Sequence, residues 1–350
     1  MQVVDLDSPQ TKTVVVLGGE TIPNGYIPIE LSTMGKLGVP AKVHCRNFNT
    51  SDLVDLSMFM QDALPERLIG ALNAIIWDKG VNVANWPDKV VVELLIKVYI
   101  NFFTPVLPSI NFPWNDDDVK WLEDHDKKEK AQELQDGKWR PKFDLNVKES
   151  VKIMFLSDEV KEFITVRKKN AQGIEILNAK FVAYPKYGDV LTLRQAVETK
   201  FSEEDKKYAR VRQQFEMRER YLEEGKDISF LQPLDDIEFR KWQLYETVKN
   251  KYASRAAEAI YLVQYNDTDL SKMSIDERIK YINSPLFDAP LSKLVDSQYK
   301  KIEFGLNPEI EIKNPITGEV CKRQFTFRLV DILQAVQSQP TDGYDISFDD

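Results

Sequence analysis

Apolar positions in the first hundred residues pass from short strand-like runs to helical spacing, and the change locates the elements. The runs 13–16 (TVVV), 27–31 (IPIEL) and 39–48 (VPAKVHCRNF) are separated by Gly18-Gly19 and by a turn containing Gly35 and Gly38. They predict strands, the last two forming a half-buried hairpin. Thr50 or Ser51 then caps a helix that opens DLVDLSMFM, with Asp52 and Asp55 in its first turn, where the helix dipole favours acids. A second helix is predicted over 65–79, entered through Pro65 and stopped by Gly80. A third covers 86–103. Its run 90–103 is strongly apolar, with Glu93, Lys97 and Asn101 recurring every four residues as a single polar stripe. A membrane span needs about 20 apolar residues. This shorter run carries two charges and ends at Thr104-Pro105, so it predicts a central buried helix of a soluble protein without a membrane partner.

From 115 to 142 both charge signs mix with few apolar positions, which reads as a solvated helix or mobile connection at the main domain boundary. Segments 147–156 and 163–183, with a turn at Asn170 to Gly173, predict a second small sheet. A helix follows over 190–201, and Ser202-Glu203-Glu204-Asp205 reads as a fresh helix start capped by Ser202. Tyr208, Val211, Phe215 and Leu222 give that helix an apolar face. After Gly225 and Pro233, a helix over 235–263 keeps Ile237, Leu244, Val248, Tyr252, Ala256, Ala259, Ile260 and Val263 at helical spacing. Two long amphipathic helices in succession predict an antiparallel hairpin or a partner surface. The expected fold is therefore α+β, with small β-hairpin or sheet elements at both ends of a largely helical body. Its segments are a hairpin-plus-helix domain (1–114), a charged connector (115–142), a β-rich module (143–201), a helical body (202–303), a knuckle-like hairpin with a short helix (304–337) and an acidic tail (338–350).

Composition narrows the chemistry. A net charge of −9 opposes general nucleic-acid binding, which needs a concentrated basic surface. Cys45 and Cys321 are the only cysteines, so there is no disulfide framework and a reducing compartment is expected. The opening MQVVDLDSPQTKT has no basic region followed by an apolar core and is not read as a signal peptide. Gly18-Gly19 belongs to no phosphate-loop motif. His44 and Cys45 are neighbours in a strand and point to opposite faces, while His125 lies in the charged connector. Asp116, Asp117 and Asp118 with Glu123 are the one carboxylate cluster for an enzyme reading, but a solvated helix start explains them better. The basic run Lys206, Lys207, Arg210 and Arg212 follows three acids and reads as a salt-bridged helix surface. No catalytic constellation or cofactor motif emerges, and the chain is read as a non-enzyme.

The stretch Asn314-Pro315-Ile316-Thr317-Gly318 has the outline of a Cys-Pro-x-Cys-Gly zinc knuckle, with Asn314 and Thr317 where thiolates would stand. Zinc takes four Cys or His ligands at about 2.0–2.3 Å, and the two Cys and two His of this chain are scattered. The stretch is read as a metal-free turn between 309–313 and 322–328. Pro315 and Gly318 reverse the chain, and Asn314 and Thr317 bond to its backbone. Cys321 is read as an ordinary strand residue. On the long helix, Trp242, Tyr245 and Tyr252 would either fill the chain's own core or anchor a partner.

These motifs, in this order, resemble the baseplate and tail-assembly proteins of contractile-tailed phages, of the T-even baseplate hub type. The likeness lies first in Ile29-Glu30-Leu31-Ser32-Thr33-Met34-Gly35, Ala41-Lys42-Val43-His44-Cys45-Arg46 and the helix cap Asn49-Thr50-Ser51-Asp52. It continues in the apolar helix 89–103, in Phe304-Gly305, in the knuckle-shaped 314–318 and in Phe325-Thr326-Phe327. It touches both ends and leaves about 115–290 weakly covered. The resemblance implies a mechanical role in an oligomeric assembly, docking to other tail and baseplate proteins without turnover. The expected location is the host cytoplasm during assembly and the virion tail baseplate if the protein is retained. Zinc in relatives does not carry over, since the ligand cysteines are absent. The alternative is a non-viral soluble adaptor or scaffold that binds a partner through its long helices.

Overall fold

The computed structural model describes residues 16–17, 20–62, 65–223, 226–229, 231, 233–325, 327, 332 and 335, and the fold is α+β. Most of the run 13–16, Gly18-Gly19, Gly225, Thr326 and the acidic tail 338–350 lie outside the described residues. β1 (Val16–Leu17) and β2 (Glu20–Thr21) form a short antiparallel ribbon. β3 (Ile27–Glu30) and β4 (Lys42–Cys45) form the expected hairpin, with Ile29 opposite Val43 and both buried. Gly35 and Gly38 sit in its connection at φ +86° and +70°, a region that strains residues bearing a Cβ.

α1 (Thr50–Asp62) and α2 (Pro65–Ala74) follow. α2 ends at Ala74 and not at Lys79, because the next residues are drawn into pairing with β4. Cys45 bridges Ile76, Arg46 N–H donates to the Ile75 carbonyl, and Trp77 N–H donates to the His44 carbonyl. Burial of Ile75 and Ile76 rewards this extension more than further helix would. A 3-10 turn, Val83–Asn85, precedes α3 (Asp88–Phe102), which therefore starts later than expected. Val90, Val91, Leu94, Leu95, Ile96, Val98 and Tyr99 are all buried, so α3 is the central helix its pattern indicates.

β5 (Val106–Asn111), α4 (Asp116–Asp124), α5 (Lys128–Gln135) and β6 (Lys142–Asn146) come next, β5 pairing with β6. The segment 115–142 is thus largely helical with mostly exposed residues, but it is docked on the core and is not a mobile connection. Val119 and Leu122 on α4, with Ala131 and Leu134 on α5, are buried in the same core as α3. The apolar residues are sparse, but each pair falls at i,i+3 spacing and turns to one side. α6 (Val147–Ser150) and β7 (Ile153–Met154) close this part of the chain.

β8 (Phe163–Lys169) and β9 (Glu175–Val182) form a hairpin through the Asn170–Gly173 turn, where Asn170 Oδ1 accepts from the Gln172 and Ile174 N–H groups. α7 then runs unbroken from Tyr187 to Glu223. The helix start expected at Ser202 does not occur. Phe201, Tyr208 and Phe215 fall one heptad apart and all pack on the next helix, and this continuous packing outweighs a local cap signal of about 1 kcal/mol. That next helix, α8 (Asp236–Tyr261), is capped by Asp235, whose side chain accepts from the Ile237 and Glu238 N–H groups. It ends before Val263 because β10 (Leu262–Tyr265) joins β9, Leu262 opposite Phe181.

β11 (Thr268–Asp269), α9 (Ile275–Ile282) and α10 (Ala289–Lys301) complete a second core around the sheet β11-β10-β9-β8, with Val166, Leu177, Phe181, Leu262 and Leu291 inside. β12 (Gly305–Leu306) pairs back with β7, and β13 (Glu309–Lys313) pairs with β14 (Val320–Gln324). Phe304, Ile310, Ile312, Ile316, Phe325, Ile332 and Ala335 return to the first core, so both ends of the described chain share it. No helix among the described residues is long and apolar enough to cross a membrane.

Candidate functional site

The turn between β13 and β14 is held by hydrogen bonds of its own backbone and side chains. Gly318 N–H donates to the Asn314 carbonyl at 2.8 Å, and Asn314 N–H donates to the Glu319 carbonyl at 2.8 Å. Gly318 takes φ +80°. Asn314 Oδ1 accepts from Ile316 N–H at 2.8 Å and Thr317 N–H at 3.3 Å, while Thr317 Oγ1 accepts from Glu319 N–H at 3.3 Å. Asn314 is buried, and its Nδ2 donates to Asp118 Oδ1 on α4 at 2.6 Å. Asp118, equally buried, also receives Arg323 Nη2 at 2.9 and 3.0 Å and caps α4 reciprocally with Asn115. One carboxylate therefore fastens the knuckle-shaped turn, β14 and the start of α4 together. It is the one member of the acidic cluster with an interior role, and the capping-box spacing Asn115-x-x-Asp118 is the local signal that sets it apart from Asp116 and Asp117. Pro315 is exposed at the turn.

The sulfur and imidazole groups stand apart from this turn. Cys321 pairs with Ile312 in the ladder, half-buried, and burial raises its thiol above the usual value. Cys45 lies in the first core, where burial and then the Asp78 charge push its thiol up to about 12, leaving it protonated at neutral pH. His44 faces Asp78, ring Nδ1 to Oδ1 at 3.2 Å, and His125 stacks on Trp121 at 4.0 Å. Among the described residues, no three His, Cys, Asp or Glu side chains converge to hold a metal ion.

The α7–α8 pair is the other candidate. Trp242, Tyr245 and Tyr252 turn inward to α7. Trp242 packs on Phe215 at 5.2 Å, Tyr245 stacks on Tyr208 at 5.1 Å, and Tyr252 meets Phe201 at 5.4 Å. Their polar ends are also taken: Trp242 Nε1 by Glu246 at 3.1 Å, Tyr245 Oη by Asp205 at 2.6 Å, and Tyr252 Oη by Asp276 at 2.7 Å. These rings pack into the seam, with Trp242 buried and Tyr245 and Tyr252 half-buried. What α8 exposes instead is Ile237, Leu244 and Val248, at 66%, 69% and 60% accessibility. At 3.6 residues per turn, Leu244 lies about 160° round the helix from Trp242. The apolar set read from spacing is split by the structure: Ile237, Leu244 and Val248 are exposed, whereas Ala256 and Ala259 are buried.

Two carboxylates make the seam acid-sensitive. Burial alone would raise Asp205, but hydrogen bonds from Lys249 and Tyr245 outweigh it and hold the group below its ordinary value. Lys200 and then Tyr252 lower Asp276 in the same way. Both groups bind protons more weakly in the folded state. Their stabilisation is therefore full above the unfolded value of about 3.9 and is lost as pH falls through the lower folded values. The urea midpoint, followed by far-UV circular dichroism, is expected to fall with pH from about pH 5 downward, and to fall less in Asp205→Asn. Equal acid slopes in the two proteins would remove Asp205 from this account. Set beside known proteins, the chain has no matching family model, curated protein or solved structure.

Proposed function

We propose that this chain is a structural or assembly subunit of a contractile phage tail baseplate, acting by protein–protein docking. The observation that carries the reading is the convergence of the segments in which the resemblance lies. Ser32 of the N-terminal segment is bound by Glu93 on α3, Lys89 of α3 pairs with Glu303 beside Phe304 at 2.9 Å, and Phe325 and Ile316 share the core with α3. Residues far apart in sequence thus form one unit. Of the carboxylate cluster, Asp118 is committed to Asn314 and Arg323. The alternative, a non-viral adaptor, draws on the same exposed side of α8.

Mass spectrometry of purified virions beside tail-assembly intermediates tests the reading. Peptides of this chain are expected in the virion or in an intermediate carrying other tail proteins. Absence from both would overturn the proposal, and copurification with a host protein in uninfected cells would favour the adaptor.

A further inference from the structure

The exposed strip on α8 carries charge of one sign. Positions 237, 241, 244, 248, 251 and 255 follow the alternating four-and-three spacing of a helix–helix seam. They are Ile237, Lys241, Leu244, Val248, Lys251 and Arg255, with Arg240 alongside. None is acidic. Arg240, Lys241 and Lys251 are exposed and form no ion pair among the described residues, whereas Arg255 is paired with Glu258 at 2.9 Å. Three unpaired cations beside three exposed aliphatic side chains stand out in a chain of net charge −9. The opposite side of the helix is already filled by the aromatic seam, so this strip has no role in packing α8 on α7.

We propose that this strip receives an acidic amphipathic helix of a partner protein, an inference that rests on the docking function proposed above. Such a helix would cover Ile237, Leu244 and Val248 with its own apolar residues. Its flanking glutamates or aspartates would meet Lys241, Lys251 and Arg240, as flanking charges do in paired helices. A second copy of this chain fits poorly. Antiparallel pairing that sets Leu244 against Val248 of a second copy also sets Lys241 against Lys251 and Ile237 against Arg255. In-register parallel pairing sets each lysine against itself. Both arrangements bring like charges together at the seam, which opposes association.

The test titrates the full chain against two labelled synthetic helical peptides with the same leucine seam, one with glutamate and one with lysine at the flanking positions. The acidic peptide is expected to bind on the order of tenfold or more tighter than the basic one. Leu244→Asp should weaken that binding by a similar factor, and the charge swap K241E/K251E should transfer the preference to the basic peptide. All three positions are exposed, and unchanged far-UV circular dichroism verifies that the variants fold. Equal binding of both peptides, no binding of either, or a swap that leaves the preference unchanged overturns the proposal. So does dimerisation of the chain in sedimentation that Leu244→Asp abolishes, which would assign the strip to a second copy. The peptide result is independent of whether virions contain the chain, so failure here is separable from failure of the baseplate reading.

Discussion

Replacing Asp118 with alanine is expected to destabilise the protein by about 3 kcal/mol in urea unfolding. Asp118 is 2% exposed and holds Asn314, Arg323 and the Asn115 N–H at once. Without it, Arg323 is left as a largely buried charge with no counter-ion, and its Nε already lacks a partner. Asn314 loses the acceptor for Nδ2 in a site closed to water, which adds the cost of an unmet buried donor. Asp118→Asn keeps the shape and part of the hydrogen bonding, so it should cost roughly half as much. The coupling is measurable in a cycle with Arg323→Met. The double variant should be clearly more stable than the sum of the single losses predicts, because no charge remains stranded. If the two losses add to within about 0.5 kcal/mol, the carboxylate does not act as a clasp. Hydrogen bonds and a buried charge pair hold the turn.

The local pattern showed most elements and few of their neighbours. The β3–β4 hairpin, the central helix α3, the Asn170–Gly173 turn and the long helix α8 all followed from periodicity and capping residues, signals contained within a few residues. The differences arise where a distant segment decides. α2 is cut short because β4 offers Ile76 a backbone partner, and α7 crosses the cap at Ser202 because α8 supplies a continuous aromatic face. The stretch 115–142 was charged enough to read as a connector, yet a few apolar side chains are enough to dock two short helices on an existing core. For the candidate site, the shape of the 314–318 turn was legible from Pro315 and Gly318. Its anchor was not, because Asn314 and Asp118 lie 196 positions apart. On α8, spacing gave one apolar set but could not say that Ile237, Leu244 and Val248 stay exposed while Trp242 and Tyr245 face α7.

Glu93→Ala is expected to have an effect of similar size, again about 3 kcal/mol, for a related reason. The repeat Glu93, Lys97, Asn101 forms one polar stripe on an apolar helix, but the three residues have different fates. Asn101 is exposed, Lys97 is half-buried, and Glu93 has no accessible surface. Its carboxylate accepts from Ser32 N–H at 3.0 Å, from the Ser32 hydroxyl, and from Lys97 Nζ at 2.7 Å. Lys97 also reaches the Glu30 carbonyl at 2.7 Å, so the pair ties the end of β3 to the central helix. Alanine would strand the Ser32 N–H and hydroxyl in the core and leave a cavity beside them. Glu93→Gln keeps an acceptor for the Ser32 N–H and should cost clearly less, since Lys97 can turn its ammonium toward water. Glu93→Met with Lys97→Met removes both charges while retaining volume. It should recover part of the alanine loss, although the Ser32 N–H stays unmet. Hydrogen exchange adds a local readout. The Ser32 amide should exchange faster in Glu93→Ala while amides of the β8–β9 sheet, in the other core, keep their protection relative to global stability. An alanine variant within about 0.5 kcal/mol of the wild type, with Ser32 still protected, would mean that apolar packing alone holds the hairpin on α3.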